Sequence, residues 1–328
     1  MLIVTLTVSA GAVVIANWDA ILASRFGEWA ASTPMGQAAF QEVYVTSVCD
    51  DVTLTVRQAL VSEKTVYLVL DYQLPDTVDR EAVQRADQSD DDFIYPPEIG
   101  YYLTGDFSWA DFKAADLKRW HGLDWSDFTS YGDYFLSWNT LQPYRLSNFS
   151  DGSSGEVASQ GYDPETNTLA YLCSITAKDG DLDFTAQPLT LLVTPPVLRV
   201  NGVDTAVTNH PAILTFQPSA VSQTLTGSYR HGGFSARAVL SPLSIYVEVS
   251  GGTAYRDTEE LVSDTSLLLR DGSILPAVDL IFGFTGGGSH NTEDEYLSSA
   301  DFTSQFQDLL DVSQVAAVQV GDILFPLE

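Results

Sequence analysis

The stretch 52-VTLTVRQALVSEKTVYLVLDYQLP-75 decides the fold of this chain. Apolar and polar residues alternate along its first half and again along its second half, and a polar segment at residues 62–65 separates the two halves. The alternating apolar positions are Val52, Leu54, Val56, Val66, Leu68 and Leu70. Successive side chains of a strand point to opposite faces, so this pattern predicts a β-hairpin in which each strand has one buried face.

Similar patterns continue toward the C-terminus. In 241-SPLSIYVEVSGG-252 apolar residues occupy every second position, which predicts another half-buried strand. Asp271-Gly272 and Gly321-Asp322 stand between short apolar runs and have the residue types of tight hairpin turns. Short strands separated by turns are typical of antiparallel sandwiches. We therefore expect a mostly β protein with two antiparallel β-sandwich-like domains in tandem.

Breaks in these patterns predict the domain limits. Pro195 and Pro196 stiffen the chain and interrupt both helices and central strands, so they predict a linker. The first β-rich domain then covers residues 42–194, and the second covers residues 197–328. Residues 76–150 of the first domain are polar, acidic and then aromatic, which indicates an insertion at the surface.

The N-terminal stretch 1-MLIVTLTVSAGAVVIANWDA-20 is apolar and carries no positive charge before the apolar run. As a helix, its apolar part reaches about 22 Å, whereas a bilayer core is about 30 Å thick. Three interpretations fit this length: the core of a signal peptide, an element buried in the fold, and the outer part of a transmembrane helix. Trp18 and Asp19 favour the third, because an aromatic residue and a charge are typical of the bilayer surface.

We therefore expect residues 1–24 to be a transmembrane-helix remnant, with more of the helix and its cytoplasmic flank encoded upstream. Residues 25–41 would follow as a juxtamembrane helix or stalk. The bulk of the chain would then be extracellular, on a protein that crosses the cell membrane once.

Composition excludes several functional classes. The 328 residues include 15 basic and 44 acidic ones, for a formal net charge of −29, which repels nucleic-acid backbones. A hydrophobic content of 45% is too high for disorder, so the acidity belongs to the surface of a folded protein.

Cys49 and Cys173 are the only cysteines, too few for a disulfide scaffold or a thiolate zinc site. They could form one disulfide, or each could be buried as a separate thiol.

Several segments together resemble the uncharacterised β-rich ectodomains of membrane-anchored anti-sigma factors from Gram-positive bacteria. In chain order they are VVIANWDAILASRFG, the hairpin quoted above, DGDLDF followed by PLTLLV, LSPLSIYVEVSG, LLLRDG and the final FPLE. The resemblance implies a cytoplasmic sigma-binding segment, one transmembrane helix and a β-rich extracellular part. Because this chain lacks the cytoplasmic segment, the resemblance implies sigma-factor binding only through that missing segment.

No motif in the sequence predicts catalysis, a cofactor or a metal site. The stretch 179-DGDLD-183 begins like a calcium loop, but Phe184 and Thr190 occupy the positions where Gly and Glu are needed. Acidic pairs such as Asp124 and Asp127 could act as a glycosidase pair, yet solvated surface carboxylates are far more common. We therefore expect a protein without enzymatic activity, and a hydrolase is the least favoured alternative.

Residues 93–149 are dense in aromatic side chains, and 108-SWADFKAADLKRWHG-122 within them predicts a short helix. Such rings either fill a core or form a surface for a sugar or a protein partner. The candidate ligand or partner surface consists of Trp109, Trp120, Trp125, Tyr131 and Trp138. We expect the extracellular sensing or interaction region of an anti-sigma-factor-like regulator, with an extracellular ligand or surface protein as its partner. The alternative is a cell-surface module that binds glycan or wall polymer through the aromatic stretch.

Overall fold

The computed structural model describes residues 19–49, 51–89, 92–97, 99–102, 153–177, 183–186, 188–193, 195–207, 212–218, 224–251, 255–290 and 296–328. These residues form a mostly β protein with several antiparallel sheets. Its α-helices are α1 (Ala20–Phe26), α2 (Glu28–Ala31), α3 (Pro34–Ala39), α4 (Arg80–Gln88) and α5 (Thr258–Ser263). Two 3₁₀ turns lie at Ala277–Asp279 and Val312–Gln314.

The strands of the N-terminal part belong to what we call the first body, residues 40–216. They are β1 (Phe40–Cys49), β2 (Val52–Val61), β3 (Thr65–Gln73), β4 (Phe93–Tyr95), β5 (Ile99–Tyr102), β6 (Ser153–Asp163), β7 (Thr168–Ala177), β8 (Leu189–Val193), β9 (Val197–Val200), β10 (Val203–Ala206) and β11 (Ala212–Phe216). One sheet has the order β1-β2-β3-β7-β6, and two three-stranded sheets have the orders β10-β9-β4 and β11-β8-β5.

The C-terminal strands belong to the second body, residues 225–328. They are β12 (Leu225–His231), β13 (Phe234–Leu240), β14 (Ser244–Ser250), β15 (Thr265–Leu269), β16 (Ile274–Pro276), β17 (Thr285–His290), β18 (Leu297–Gln305), β19 (Val315–Val320) and β20 (Ile323–Pro326). They form a five-stranded sheet of order β12-β13-β14-β18-β17 and a four-stranded sheet of order β16-β15-β19-β20.

The hairpin predicted from residues 52–75 is confirmed. Strands β2 and β3 pair antiparallel, with Val61 opposite Val66 beside the turn. The prediction of one buried face is wrong for β3, which is buried on both faces. Leu68 and Leu70 enter the first core, whereas Val69 enters a second apolar cluster on the opposite face. Alternation in sequence does not reveal this second cluster, because its other members come from distant parts of the chain.

Both turns predicted in the second body are confirmed as well. Asp271-Gly272 joins β15 to β16, and Gly321 lies between β19 and β20. Gly272 has a φ of 88° and Gly321 a φ of 57°. This is the left-handed region that tight hairpin turns require and that glycine enters without steric cost.

The predicted boundary at Pro195-Pro196 is not where the first body ends. Strand β9 follows the prolines directly and pairs with β4, and β11 pairs with β8. Leu214 and Phe216 belong to the first core, and the second core begins with Leu225. The prolines interrupt the ladder at their own positions, but the chain then continues into a neighbouring sheet of the same body.

The N-terminal expectations are corrected in part. Residues 1–18 lie outside the described residues, but residues 20–24, which we assigned to a membrane helix, belong to α1. Leu22 and Phe26 of this helix are buried in the protein, at 0% and 2% exposure. Within residues 25–41, predicted as a juxtamembrane helix or stalk, residues 28–31 and 34–39 form α2 and α3, and Ala31 and Ala39 are buried too. Within the described part of the chain, no helix combines the length and the apolar character needed to cross a membrane.

The predicted insertion at residues 76–150 is partly a piece of the first body. Helix α4 contributes Val83 to the first core, and β4 and β5 are members of its two smaller sheets. The helix predicted at residues 108–122 lies outside the described residues.

Candidate functional site

The helices α1 to α3 lie between the two bodies. Phe26 of α1 packs edge to face on Tyr67 of β3, with ring centroids 4.9 Å apart. Leu243 and Leu309 of the second body join the same apolar cluster. We call this cluster the seam, and its buried members are Leu22, Phe26, Ala30, Ala31, Ala39, Leu60, Tyr67, Val69, Leu243 and Leu309. The N-terminal helices are therefore a structural part of the contact between the bodies.

Arg25 is the polar link from α1 to the second body. Its guanidinium donates hydrogen bonds to the carbonyl oxygens of Gln307, at 2.6 Å, and Phe306, at 3.2 Å. The same group lies 4.7 Å from the ring centroid of Phe26 and 5.8 Å from those of Tyr67 and Phe282. A guanidinium can donate in its plane and stack across it at once, which a lysine ammonium cannot do.

A second polar link joins the two bodies directly. The hydroxyl of Tyr67 on β3 donates to Oε1 of Gln305 on β18, and Nε2 of Gln305 donates to the hydroxyl of Thr176 on β7, at 2.6 Å. Gln305 thus uses both ends of its amide across the seam, which fixes the amide orientation.

The same face of the first sheet carries a polar pocket of about 540 Å³ next to the start of α1. Asp71 of β3 and Ala170 of β7 line it, and both alternate with residues that point into the first core. The polar side chains that border the pocket include Arg57, Asp71, Asp87, Asp163, Thr166 and Thr168. The sheet face thus has an apolar end at the seam and a charged end at the pocket.

Arg57 lies at a β-bulge of β2, where the register to β3 shifts between Val56 and Gln58. A bulge adds one residue to a strand and redirects its side chain. The guanidinium is held between two carboxylates: Nη1 lies 2.7 Å from Oδ2 of Asp19, and Nε lies 2.8 Å from Oδ2 of Asp71. The second contact is short but lacks the alignment of a hydrogen bond, so it is mainly electrostatic.

Asp19 connects this ion pair to α1. It is the N-cap of the helix, and its side chain accepts a hydrogen bond from the backbone N–H of Ile21 at 2.9 Å. Its own backbone N–H donates to Oε1 of Gln58 at 2.5 Å. One carboxylate therefore caps the helix that enters the seam and pairs with the arginine that lines the pocket.

The pocket carboxylates differ in acidity. Burial raises the pKa of Asp71, the positive charge of Arg57 opposes this effect, and the negative charge of Asp19 adds to it. Hydrogen bonds from the side chain of Thr166 and the backbone N–H of Glu165 lower the pKa of Asp163. The pocket thus combines one exposed carboxyl of lowered pKa, Asp163, with one partly buried carboxyl of raised pKa, Asp71.

The sequence did not predict this pocket. The residues that we selected as a surface, Trp109, Trp120, Trp125, Tyr131 and Trp138, all lie outside the described residues. One signal could have indicated the pocket, because Arg57 and Asp71 have opposite charges on the polar faces of the two strands of the predicted hairpin. Asp87 and Asp163 carry no such signal, because only the tertiary fold brings them to the hairpin.

Cys173 is a free thiol buried in the first core, and burial raises its pKa well above the usual value. It lies on β7, whereas Cys49 ends β1, and β2 and β3 separate these two strands. A disulfide needs Cα atoms within about 7 Å of each other, and three strand spacings of about 4.8 Å exceed this limit. This geometry favours two separate thiols over the alternative of a disulfide.

The structure thus defines a mostly β protein with several antiparallel sheets and a polar pocket on one of them. No known family model matches the chain, and no curated protein matches it. Among solved structures it is similar to "the crystal structure of the conserved domain protein from Bacillus anthracis", with 13% identity over 85% of this chain and 75% of that chain and a TM-score of 0.38. So distant a likeness supports no statement about function.

Proposed function

We propose that this chain is the sensing region of a membrane-tethered, anti-sigma-factor-like regulator, that it is extracellular, and that it performs no catalysis. Ligand binding or stress would alter how α1 to α3 are held, and the change would pass through the N-terminal segment to a partner across the membrane. The observation that carries the proposal is the Asp19–Arg57 ion pair, which joins the pocket to the first helix of the seam.

Two features of the structure support coupling from the pocket to the helices α1 to α3. A ligand that binds the Asp71 carboxylate competes with Arg57 for it and so changes how the guanidinium is shared with Asp19, since Arg57 contacts both carboxylates. The helices that would respond are short, with seven, four and six residues, and helices of this length depend on tertiary contacts for their stability. A small change at the N-cap residue Asp19 therefore alters the stability of α1 directly.

The test is to remove the ion pair and keep the cap. In Asp19→Asn the asparagine still caps the helix, because Asn and Asp are equally good N-caps. The pair is partly buried, with 28% and 13% of the two side chains exposed, so its loss should cost about 1 kcal/mol. We expect amide hydrogen exchange at residues 20–39 to become about fivefold faster. In the full-length protein in its source cells, the same change should alter sigma-dependent transcription.

Asp257→Asn is the matched control, because Asp257 caps α5 of the second body through the N–H of Glu260. It should affect exchange only near residues 258–263 and leave transcription unchanged. If Asp19→Asn loosens the helices and sigma-dependent transcription does not change, the chain does not act as this kind of regulator.

The alternative function is a cell-surface module that binds a glycan or wall polymer. Its support among the described residues is the pocket, because hydroxyl and carboxylate groups of the protein are suitable partners for sugar hydroxyls. A glycan array separates the two functions: binding that leaves exchange at residues 20–39 and transcription unaffected would favour the module over the sensor.

A further inference from the structure

The charges of the pocket select against anions. Asp71, Asp87 and Asp163 border it, and the guanidinium of Arg57 is already placed between Asp71 and Asp19. The cavity therefore presents an excess of negative charge to an incoming molecule, and a cation gains from entering it. Among the residues that the structure describes, no three His, Cys, Asp or Glu side chains are grouped to hold a metal ion. The cavity volume of about 540 Å³ suits a cation larger than a single ion.

The remaining lining favours a ligand with hydroxyl groups. Thr166 and Thr168 line the pocket, and they donate their hydroxyl protons to Asp163 and to the carbonyl oxygen of Thr166, so their hydroxyl oxygens are able to accept hydrogen bonds. Gln160 adds an amide to the same wall. A volume of about 540 Å³ lies within the range of about 300–1,000 Å³ that is usual for small-molecule sites. A disaccharide is of suitable size for such a cavity.

We propose that this pocket binds an amino sugar with a free ammonium group, at the scale of a glucosamine disaccharide. The ammonium lies against the carboxylates that border the cavity, and the sugar hydroxyls bind Thr166, Thr168 and Gln160. This inference names the ligand class of the sensing site and rests on the proposed function for its biological role.

The test is isothermal titration of the whole chain with four probes, at a pH at which amines are protonated. They are the β-1,4-linked glucosamine disaccharide, its N,N′-diacetyl form, cellobiose and spermidine. The glucosamine disaccharide should bind at least about tenfold more tightly than each of the others, because only it supplies both a charge-assisted hydrogen bond and hydroxyl groups. Raising the salt concentration should weaken its binding.

Variants locate the site. Asp71→Asn should weaken binding of the glucosamine disaccharide about tenfold or more, because it removes a charged acceptor. Ala170→Phe leaves every charge in place and fills the cavity, so it should abolish binding. Asp279→Asn is the matched control, because Asp279 is an exposed carboxylate in a 3₁₀ turn of the second body. It should leave binding unchanged, and circular dichroism checks that all three variants fold.

The following outcomes overturn the proposed ligand. If cellobiose binds as tightly as the glucosamine disaccharide, the pocket does not recognise the charge. If spermidine binds as tightly, the pocket does not recognise the hydroxyl groups. Unchanged binding in Ala170→Phe would place the site elsewhere, and no binding at all would refute the ligand class. The Asp19→Asn experiment needs no ligand, so the coupling that underlies the proposed function is tested separately. Binding without faster or slower exchange at residues 20–39 would refute the coupling and leave the ligand assignment intact.

Discussion

Replacement of Arg25 by methionine should loosen the contact between the two bodies. Methionine keeps the apolar contact with Phe26 and removes the charge, both hydrogen bonds to Phe306 and Gln307, and the cation–π contacts. A hydrogen bond from a charged donor contributes about 1.5–3 kcal/mol when it is well shielded, and an exposed cation–π contact contributes about 0.5–1 kcal/mol. Arg25 is partly exposed, which reduces both contributions. We expect the free energy of unfolding to fall by about 2 kcal/mol.

The assay is urea unfolding followed by circular dichroism, together with hydrogen exchange at residues 20–39. Arg25→Lys should recover only part of the lost stability. Lysine keeps the positive charge, but it cannot donate two hydrogen bonds from one planar group. Phe282 is 62% exposed, so Phe282→Leu costs little by itself. A double-mutant cycle between Arg25 and Phe282 should therefore give a coupling of about 0.5 kcal/mol, which is the contribution of one exposed cation–π contact.

Arg230→Met on β12 is the matched control, because Arg230 is exposed in the second body and away from α1. Its effect should stay within about 0.5 kcal/mol, as for most surface substitutions. The reasoning about Arg25 is wrong if Arg25→Met also falls within this range, or if exchange at residues 20–39 does not become faster.

Two further predictions concern titratable groups. Burial, with Asp264 and Asp322 nearby, raises the pKa of Tyr255 to about 12 from its ordinary value of 10.0, so the folded protein keeps a proton that the unfolded chain loses. The contribution of Tyr255 to stability is complete below pH 10.0 and is lost as the pH rises to about 12. The urea midpoint should therefore fall less steeply with pH in Tyr255→Phe than in the unchanged protein. Equal slopes of midpoint against pH in the two proteins would contradict this. For the cysteines, a thiol reagent should titrate two groups in denaturant without reductant, and Cys173 should react slowly in the folded protein because its thiol is buried. No reactive group in denaturant would favour the disulfide instead.

Local patterns were sufficient for the elements that depend on local geometry. The β2–β3 hairpin and the turns at Asp271-Gly272 and Gly321 follow from alternation and from turn residues a few positions apart. Strand partners that are distant in sequence leave no such signal. The pairing of β9 with β4 and of β11 with β8 is one example. Because of these pairings the first body extends beyond Pro195 and Pro196, where the sequence predicted its end.

The pocket and the seam could not be predicted for the same reason. Asp87 and Asp163 come from a helix and a strand end more than seventy residues apart, and α1 meets side chains from both bodies. The apolar residues of α1 were consistent with a membrane as well as with a protein interior, because both environments select leucine and phenylalanine. Sequence hydrophobicity indicates that such residues are removed from water, but it does not identify what covers them.

The position of α1 has a mechanical consequence. A pulling force applied to the chain at residue 19 acts first on the Asp19–Arg57 ion pair and then, through α1, on the Arg25 contacts with the second body. The long ladders of the five-stranded sheets come later along the chain and share their load over many hydrogen bonds at once. The helices would therefore peel away one contact at a time while the sheets stay intact, so the seam is the mechanically weak element of this protein. Single-molecule extension should show a low-force step of about twenty residues before either body unfolds.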